Sequence, residues 1–298
     1  MRQARDGAGG ADGPVGPPEE PGAPAEWPGA PSEGPGGPSE GPGGPSEAPE
    51  GPGKPGPPVF LADHAAIERG SITLAGAEGR HAATVRRLSV GERADVTDGA
   101  GTIAECVVTG AGSGVIELAV QAKRAVPAPE PRIAVVQAIP KGERGELAVE
   151  IMTEVGVDAV VAWQAERCVA RWRGDRADRS LARWQATARE AAKQSRRAWI
   201  PEVTGPEATP AIVRRVAAAD LAILLDPEAP ATLGRISLPG HGEIVLIVGP
   251  EGGVSPAESE AMARAGAVPA RLGPTVMRSS SAGAVAAALA LAASGRWA

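Results

Sequence analysis

Ile247-Val-Gly-Pro-Glu-Gly-Gly-Val-Ser-Pro-Ala-Glu258 joins three signals within twelve residues. The apolar run Glu243-Ile-Val-Leu-Ile-Val248 has the unbroken character of a strand buried on both faces. It passes directly into a glycine-rich loop. Ser255 then opens a helix, with Pro256 at the first helical position and Glu258 at capping-box spacing. Strand, loop and capped helix together are the unit of an α/β fold with a largely parallel sheet, whose ligands sit at the carboxyl ends of the strands. The loop is not a P-loop, because no Gly-Lys-Ser/Thr follows, nor a dinucleotide fingerprint, because Gly-x-Gly-x-x-Gly is absent. Taken alone, it reads equally as a tight turn that needs glycine.

The same alternation extends backwards. Arg132-Ile-Ala-Val-Val-Gln-Ala-Ile139, Asp158-Ala-Val-Val-Ala-Trp163 and Leu221-Ala-Ile-Leu-Leu225 read as strands. Glu143–Val155 and Arg179–Trp199 read as helices, and an alanine-rich helix runs from about Ser280. Before the Pro-spaced linker Pro127–Pro131 the pattern is β-like. Ser71–Leu74, Arg93–Thr97, Thr102–Val108 and Gly114–Val120 are parted by glycine-bearing turns, with one helix over Glu78–Leu88. This predicts a small β-barrel domain over residues 59–127 and an α/β domain over residues 128–298.

Residues 1–58 are different. They hold 16 of the 40 glycines and 16 of the 30 prolines, and Pro31–Gly51 repeats PSEGPGG, PSEGPGG, PSEAPEG. Such a segment has no apolar face to offset the entropy of ordering and reads as a disordered tail. It carries three basic and nine acidic groups, so it accounts for the net charge of −6 of the 298-residue chain. The rest balances to zero, which leaves an anionic partner open.

Cys106 and Cys168 show no metal-ligand spacing, so neither zinc nor a disulfide framework is expected. The longest apolar stretch, Ala282–Ala293, is about 12 residues, short of the roughly 18 of a membrane span. No signal-peptide core follows the start, and a cytoplasmic location is expected.

Two further loops support a ligand site. Leu224-Leu-Asp-Pro-Glu-Ala229 closes one strand, and Arg271-Leu-Gly-Pro-Thr-Val-Met-Arg278 precedes the last helix. Three strand-end loops can read a ligand with backbone amides and carbonyls. At this point the chain resembles the SPOUT superfamily of knotted S-adenosylmethionine-dependent RNA methyltransferases. Within it, the similarity is to the 16S ribosomal RNA uridine-N3 methyltransferases. It is carried by GPEGG (249–253), LGPTVMRSSSA (272–282), Lys141-Gly-Glu-Arg144, Glu154–Val157, Glu166-Arg-Cys168, Glu190–Arg196 and LLDPEA, in family order. His81–Leu88 and Asp98-Gly99 are similar to that family's PUA-like RNA-binding domain.

The resemblance implies a trefoil knot around the last helix, a homodimer, and 16S ribosomal RNA, in the assembled small subunit, as substrate. It implies that Leu225, Asp226, Pro227, Gly249, Pro250, Glu251, Gly252, Gly253, Leu272, Gly273 and Met277 hold S-adenosylmethionine, with no metal. Arg278 and Ser279 are its catalytic candidates. One departure stands out: the family's Arg-Thr-Glu-Thr-Ala is here Arg278-Ser-Ser-Ser-Ala282, and Ser280, where the family has an acid, is expected to cap the helix.

Arg167–Arg197 contains ten basic residues against Asp175, Asp178 and Glu190. Arginine clusters suit phosphate, and an RNA-facing set of Lys141, Arg144, Arg167, Arg171, Lys193, Arg196 and Arg197 is expected. Trp172 and Trp199 could stack on a base or belong to the core, where Trp184 is expected. Uracil N3 carries a proton and must be held near the sulfonium methyl as its anion forms. Arg278 could stabilise charge on the carbonyl oxygens. Glu154 and Glu190 read better as ion-pair partners than as the base, and His64 and His81 as surface or capping groups, so no base is named. A ribose 2′-O-methyltransferase and a non-catalytic ribosome-assembly protein are the alternatives.

Overall fold

The computed structural model describes residues 56–297, so the expected tail lies, through residue 55, outside the described residues. Two sheets organise the described chain. The first comprises β1 (Val59–Leu61), β2 (Ser71–Leu74), β3 (Arg93–Thr97), β4 (Thr102–Gly112) and β5 (Val115–Ala125), in the order β1-β3-β4-β5-β2. The long β4–β5 hairpin alternates, turning Ala104, Cys106, Val108, Ile116 and Leu118 into a core shared with Phe60, Ile67 and Ile72. β1 and β2 are its two edges, so the expected barrel is open.

Helices α1 (His64–Glu68) and α2 (Gly76–Arg80) accompany this sheet. The single helix expected over Glu78–Leu88 is instead α2 followed by a π turn, His81–Val85. The wider turn sets His81 edge-on to Phe60, with ring centroids 6.1 Å apart, while Ala82 stays in the core.

The second sheet is entirely parallel: β6 (Arg132–Ala138), β7 (Ala159–Trp163), β8 (Glu202–Glu207), β9 (Leu221–Leu225), β10 (Glu243–Val248) and β11 (Val268–Ala270), in the order β11-β9-β10-β6-β7-β8. Its two central strands, β6 and β10, are buried at every residue after the first, as expected of strands covered on both faces. The edge strands β8 and β11 leave little trace in the sequence: β8 contains Gly205-Pro206, and β11 is three residues long.

The helices of this half are α3 (Arg144–Val155), α4 (Asp175–Gln194), α5 (Thr209–Ala218), α6 (Pro256–Arg264) and α7 (Ser279–Ala293). α7 packs on β6, β10 and α3, and its alanines let it approach closely. A Cβ on Gly283 would lie 2.9 Å from the Met152 sulfur and 3.3 Å from Val135, so any larger residue there would force Met152 to shift.

α4 begins earlier and ends earlier than its sequence pattern implies. Asp175 and Asp178 occupy its first turn, where they complement the helix dipole. Beyond Ser195 the chain leaves the helix through Arg196, at φ 55°, and pairs with the turn between β3 and β4. The Gly101 amide donates to the Ala198 carbonyl at 3.0 Å, and the Ile200 amide to the Gly99 carbonyl at 3.0 Å. Trp199 Nε1 donates to the Val126 carbonyl at 3.0 Å, which makes this Trp part of the seam joining the two sheets. Among the described residues no helix is long and apolar enough to cross a membrane.

Candidate active site

The carboxyl ends of β9, β10 and β11 open onto one cavity of about 510 Å³, within the range typical of small-molecule sites. β10 contributes the Gly-rich loop. Its turn is closed by the Gly253 amide donating to the Pro250 carbonyl at 2.8 Å, and Gly253 takes φ +74°. A Cβ on Gly249 would lie 2.7 Å from Val254 Cγ2, so glycine there keeps the loop folded back on itself. The expected capping box is present: Ser255 accepts from the Glu258 amide, and Glu258 accepts from the Ser255 amide.

β9 contributes Leu225, Asp226 and Pro227, and Asp226 turns the chain by accepting from the Glu228 amide at 2.9 Å. β11 contributes Leu272, Gly273 and Met277, followed by Arg278 and Ser279 at the start of α7. Of the expected cofactor residues, all but Gly252 line this cavity; Gly252 faces Arg167 instead.

Arg271 is a residue whose role the sequence did not reveal. Its guanidinium donates to the Ala229 and Pro230 carbonyls, and its own backbone exchanges hydrogen bonds with Ala231 and Leu233. It thereby bolts the β9 loop to the β11 loop and fixes two of the cavity's three walls. Its place at the head of the Leu272-Gly-Pro loop was the signal the sequence offered.

The amino end of α7 faces the cavity without a side-chain cap. Arg278, in extended conformation, is the N-cap residue, so the expected capping role of Ser280 is not realised. Ser280 lies one residue inside the helix and is buried. Ser279 is also buried, lines the cavity, and its hydroxyl has no hydrogen-bond partner among the described residues. An orphan hydroxyl beside unsatisfied helix amides is a polar receptacle in the cavity wall. Arg278 is exposed at the mouth, and its guanidinium has no partner among the described residues.

The basic residues divide. Arg144 lies between the cavity and an open hollow that it shares with Lys141, 3.7 Å from Glu251. Arg167 donates to the Gly252 carbonyl at 3.2 Å and so rests on the Gly-rich loop. Arg171 spends its guanidinium on the Ala165 and Glu166 carbonyls of its own loop. Arg196, exposed, donates to the Gly56 carbonyl at 2.6 Å.

Two residues expected in the RNA-facing set, Lys193 and Arg197, are taken up by the fold's own partners, Lys193 buried and Arg197 half-buried. Lys193 Nζ bonds Glu78 at 2.7 Å and Glu190 at 3.0 Å, and its side chain is 4% exposed. Burial opposes its charge, but the two carboxylates outweigh that and raise its pKa above the ordinary lysine value. Arg197 donates to the Thr153 and Val157 carbonyls and pairs with Asp158, which also holds Arg296.

The remaining candidates lie outside the cavity. Glu190 is the partner of Lys193. His64 bonds Asp98 at 2.9 Å in the first sheet's domain. There burial pushes the Asp98 carboxyl up, and hydrogen bonds from Thr102, Ala100 and His64 pull it below its usual range. Trp172 packs edge-on against buried Trp184, with centroids 4.9 Å apart, so the core reading applies to both. Carboxylates that do line the cavity are Asp226, Glu228 and Glu251.

Similarity to known proteins follows the same division of the chain. A family described as an RNA methyltransferase domain matches residues 127–291, and one described as an RNA methyltransferase PUA domain matches residues 74–120. The chain is 51% identical over 215 residues to ribosomal RNA small subunit methyltransferase E of Mycobacterium tuberculosis, covering 71% of this chain and 82% of that one. A Neisseria gonorrhoeae ribosomal RNA small subunit methyltransferase E, solved bound to S-adenosyl methionine, aligns with TM-score 0.70 at 25% identity over 79% of this chain and 97% of that one. A Legionella pneumophila protein solved with bound SAM aligns with TM-score 0.69 at 26% identity, over 81% and 95%.

Proposed function

We propose, from the premise that this chain belongs to the ribosomal RNA small subunit methyltransferase E family, that it transfers a methyl group from S-adenosylmethionine to N3 of a specific uridine in 16S ribosomal RNA. The observation that carries this reading is the cavity built by three strand-end loops, with the uncapped start of α7 and the orphan Ser279 hydroxyl in its wall.

The residues present fit that cofactor. A largely apolar cleft with loop backbone groups suits an adenine ring, and the glycines at 249 and 253 keep the backbone close without side chains in the way. Asp226 and Glu251 stand where polar groups of a ribose or an amino acid moiety can be met. When bound, S-adenosylmethionine supplies an electrophilic methyl on a sulfonium centre.

The chain's own groups then orient the acceptor. Arg278 at the mouth donates toward the uracil carbonyl oxygens and stabilises the negative charge that appears there as the N3 proton leaves to water. Exposed Val276 and Met277 offer an apolar contact to an unstacked base. Arg167, Arg173, Arg176 and Arg179 are all exposed and supply the phosphate-facing surface in place of Lys193 and Arg197.

The same reading carries a trefoil knot around α7, an assembled small subunit as substrate in the cytoplasm, and a homodimer. In that dimer a second copy covers Leu147 of α3 and Leu289 of α7, which are exposed on neighbouring helices. Calorimetry with S-adenosylmethionine tests the cofactor. Nucleoside mass spectrometry of 16S ribosomal RNA, from cells with and without the protein, tests the product. Absence of cofactor binding overturns the reading, and a 2′-O-methylated nucleoside redirects it.

A further inference from the structure

Glu258 does more than cap α6. In a surface capping box the carboxylate reaches back to the cap amide with one oxygen, and its other oxygen meets water. Here the residue is 6% exposed and both oxygens are used inside the protein. Oε2 accepts from the Ser255 amide at 3.2 Å. Oε1 accepts from the Glu166 amide at 2.9 Å and from the Thr209 hydroxyl at 2.7 Å. Thr209 in turn accepts from the indole N–H of fully buried Trp163, the last residue of β7, at 3.1 Å. Every partner donates and none accepts, so a carboxylate fits, whereas an amide would turn an N–H toward another donor.

These bonds tie together segments far apart in sequence. One is the Gly-rich loop and the start of α6. The second is the loop after β7, residues 164–173, which carries Arg167, Arg171 and Arg173. The third is the start of α5. The loop after β7 is held partly by itself and partly by its neighbours: Gln164 bonds the Trp172 amide and the Ala170 carbonyl, Arg171 bonds the Ala165 and Glu166 carbonyls, the Gln164 amide donates to the Glu207 carbonyl, and Trp172 packs on Trp184. Its fastenings to the cavity are Glu258, from below, and Arg167 on the Gly252 carbonyl, from the solvent side.

We infer that Glu258 is a positioning residue that couples the cofactor loop to the arginine-bearing loop 164–173, setting the RNA cations in register with the cavity. Ordering of the Gly-rich loop by the cofactor passes through the start of α6 to the Glu166 amide, and so to Arg167. Linkage requires the converse too: RNA held by that loop tightens the cofactor. The inference rests on the cofactor and RNA reading of the site given above.

Glu258→Gln isolates the link. Glutamine has a single acceptor oxygen, so it cannot serve the Ser255 amide and the Glu166 amide together, and the bond that joins the two loops through one carboxylate is cut while the side chain keeps its size. Three measurements on the full-length protein decide it: affinity for S-adenosylmethionine, methyl-transfer kinetics on ribosomal RNA, and hydrogen exchange of the 164–173 segment with and without the cofactor. The wild type should show cofactor-dependent protection of that segment. In Glu258→Gln the protection should vanish and the KM for RNA should rise about tenfold, within the range of ordinary coupling energies. Cofactor affinity measured without RNA should stay within about twofold.

An unchanged KM and unchanged protection overturn the inference. So does loss of cofactor affinity in parallel with KM, since Glu258 would then act only on the cofactor loop itself. Thr209→Val, which leaves the Glu166 bond intact, should retain the protection; its loss there also counts against the coupling. Failure of the wild type to bind the cofactor is a separate result that removes the functional reading and this inference with it.

Discussion

The cavity mouth and the seam between the two sheets are both built with basic side chains, yet the two use them in opposite ways. At the mouth Arg278 stands exposed with no partner among the described residues, beside an orphan hydroxyl. At the seam Lys193 is enclosed by Glu78 and Glu190, and Arg197 is spent on two carbonyls and Asp158. A free cation next to unsatisfied donors is poised for a ligand, whereas a cation already neutralised by the fold is a fastening. Basic side chains stand in both places; what differs is whether the protein or a partner supplies the counter-charge.

Removing one cation from each place separates the two roles. Arg278→Ala should lower kcat by roughly 10²–10³-fold, the loss typical of a single donor aimed at developing negative charge. The melting temperature and cofactor affinity should stay unchanged, because no other residue of the described structure leans on the guanidinium. Methyl transfer that survives the substitution would remove Arg278 from the reaction.

Lys193→Met should do the reverse. Losing one partner of a buried pair costs roughly 3–5 kcal/mol, and somewhat less here because Glu78 is partly exposed, so about 2 kcal/mol is expected. That corresponds to a melting temperature lower by about 4–8 °C for a chain of this size, with cofactor affinity retained. Pairing it with Glu78→Gln should recover part of the loss. If the double variant is as unstable as the sum of the singles, the two residues do not form a unit.

The titration of the seam follows from the raised pKa of Lys193. A base whose folded value lies above its unfolded one contributes fully below the unfolded value, about 10.4 for lysine, and loses that contribution as pH rises through the folded value. The difference in melting temperature between wild type and Lys193→Met should therefore be constant through neutral pH and shrink above about pH 10.4. A difference that instead shrinks toward acid would mean that the carboxylates, not the lysine, dominate the link.

How much of this could be read from the sequence depends on how local the deciding contacts are. The β10–loop–α6 unit was legible because strand hydrophobicity, loop glycines and a capping box reinforce one another within twelve residues. Most of the cavity lining followed once three such loops were recognised as strand ends. The end of α4 was not legible, because its helical pattern continues past Ser195. What stops it is pairing of Ala198–Ile200 with a turn about 100 residues earlier in the chain. Lys193 finds Glu78 across 115 positions and Arg197 finds Asp158 across 39, so no local pattern separates them from their exposed neighbours. Glu258 lies between these cases: its cap was visible, and its bonds to Glu166 and Thr209 were not.

The smallest expected effect draws the line within the arginine-rich stretch itself. Arg171 and Arg176 are both exposed by area, and a charge count treats them alike. Arg171, however, already donates to the Ala165 and Glu166 carbonyls, and those bonds hold its loop in shape. Arg176, at the start of α4, points away from any such partner among the described residues. A phosphate bound by Arg176 displaces a counterion, so Arg176→Ala should flatten the dependence of log affinity on log salt by roughly 0.7 for a single-stranded contact. Affinity itself should fall only a few-fold at physiological salt. Arg171→Ala should leave the salt slope unchanged and act through the loop, loosening exchange protection around Glu166. If the slope moves for Arg171 and not for Arg176, exposure with an internal partner is the better guide to RNA contact, and the division between free and spent cations fails on this surface.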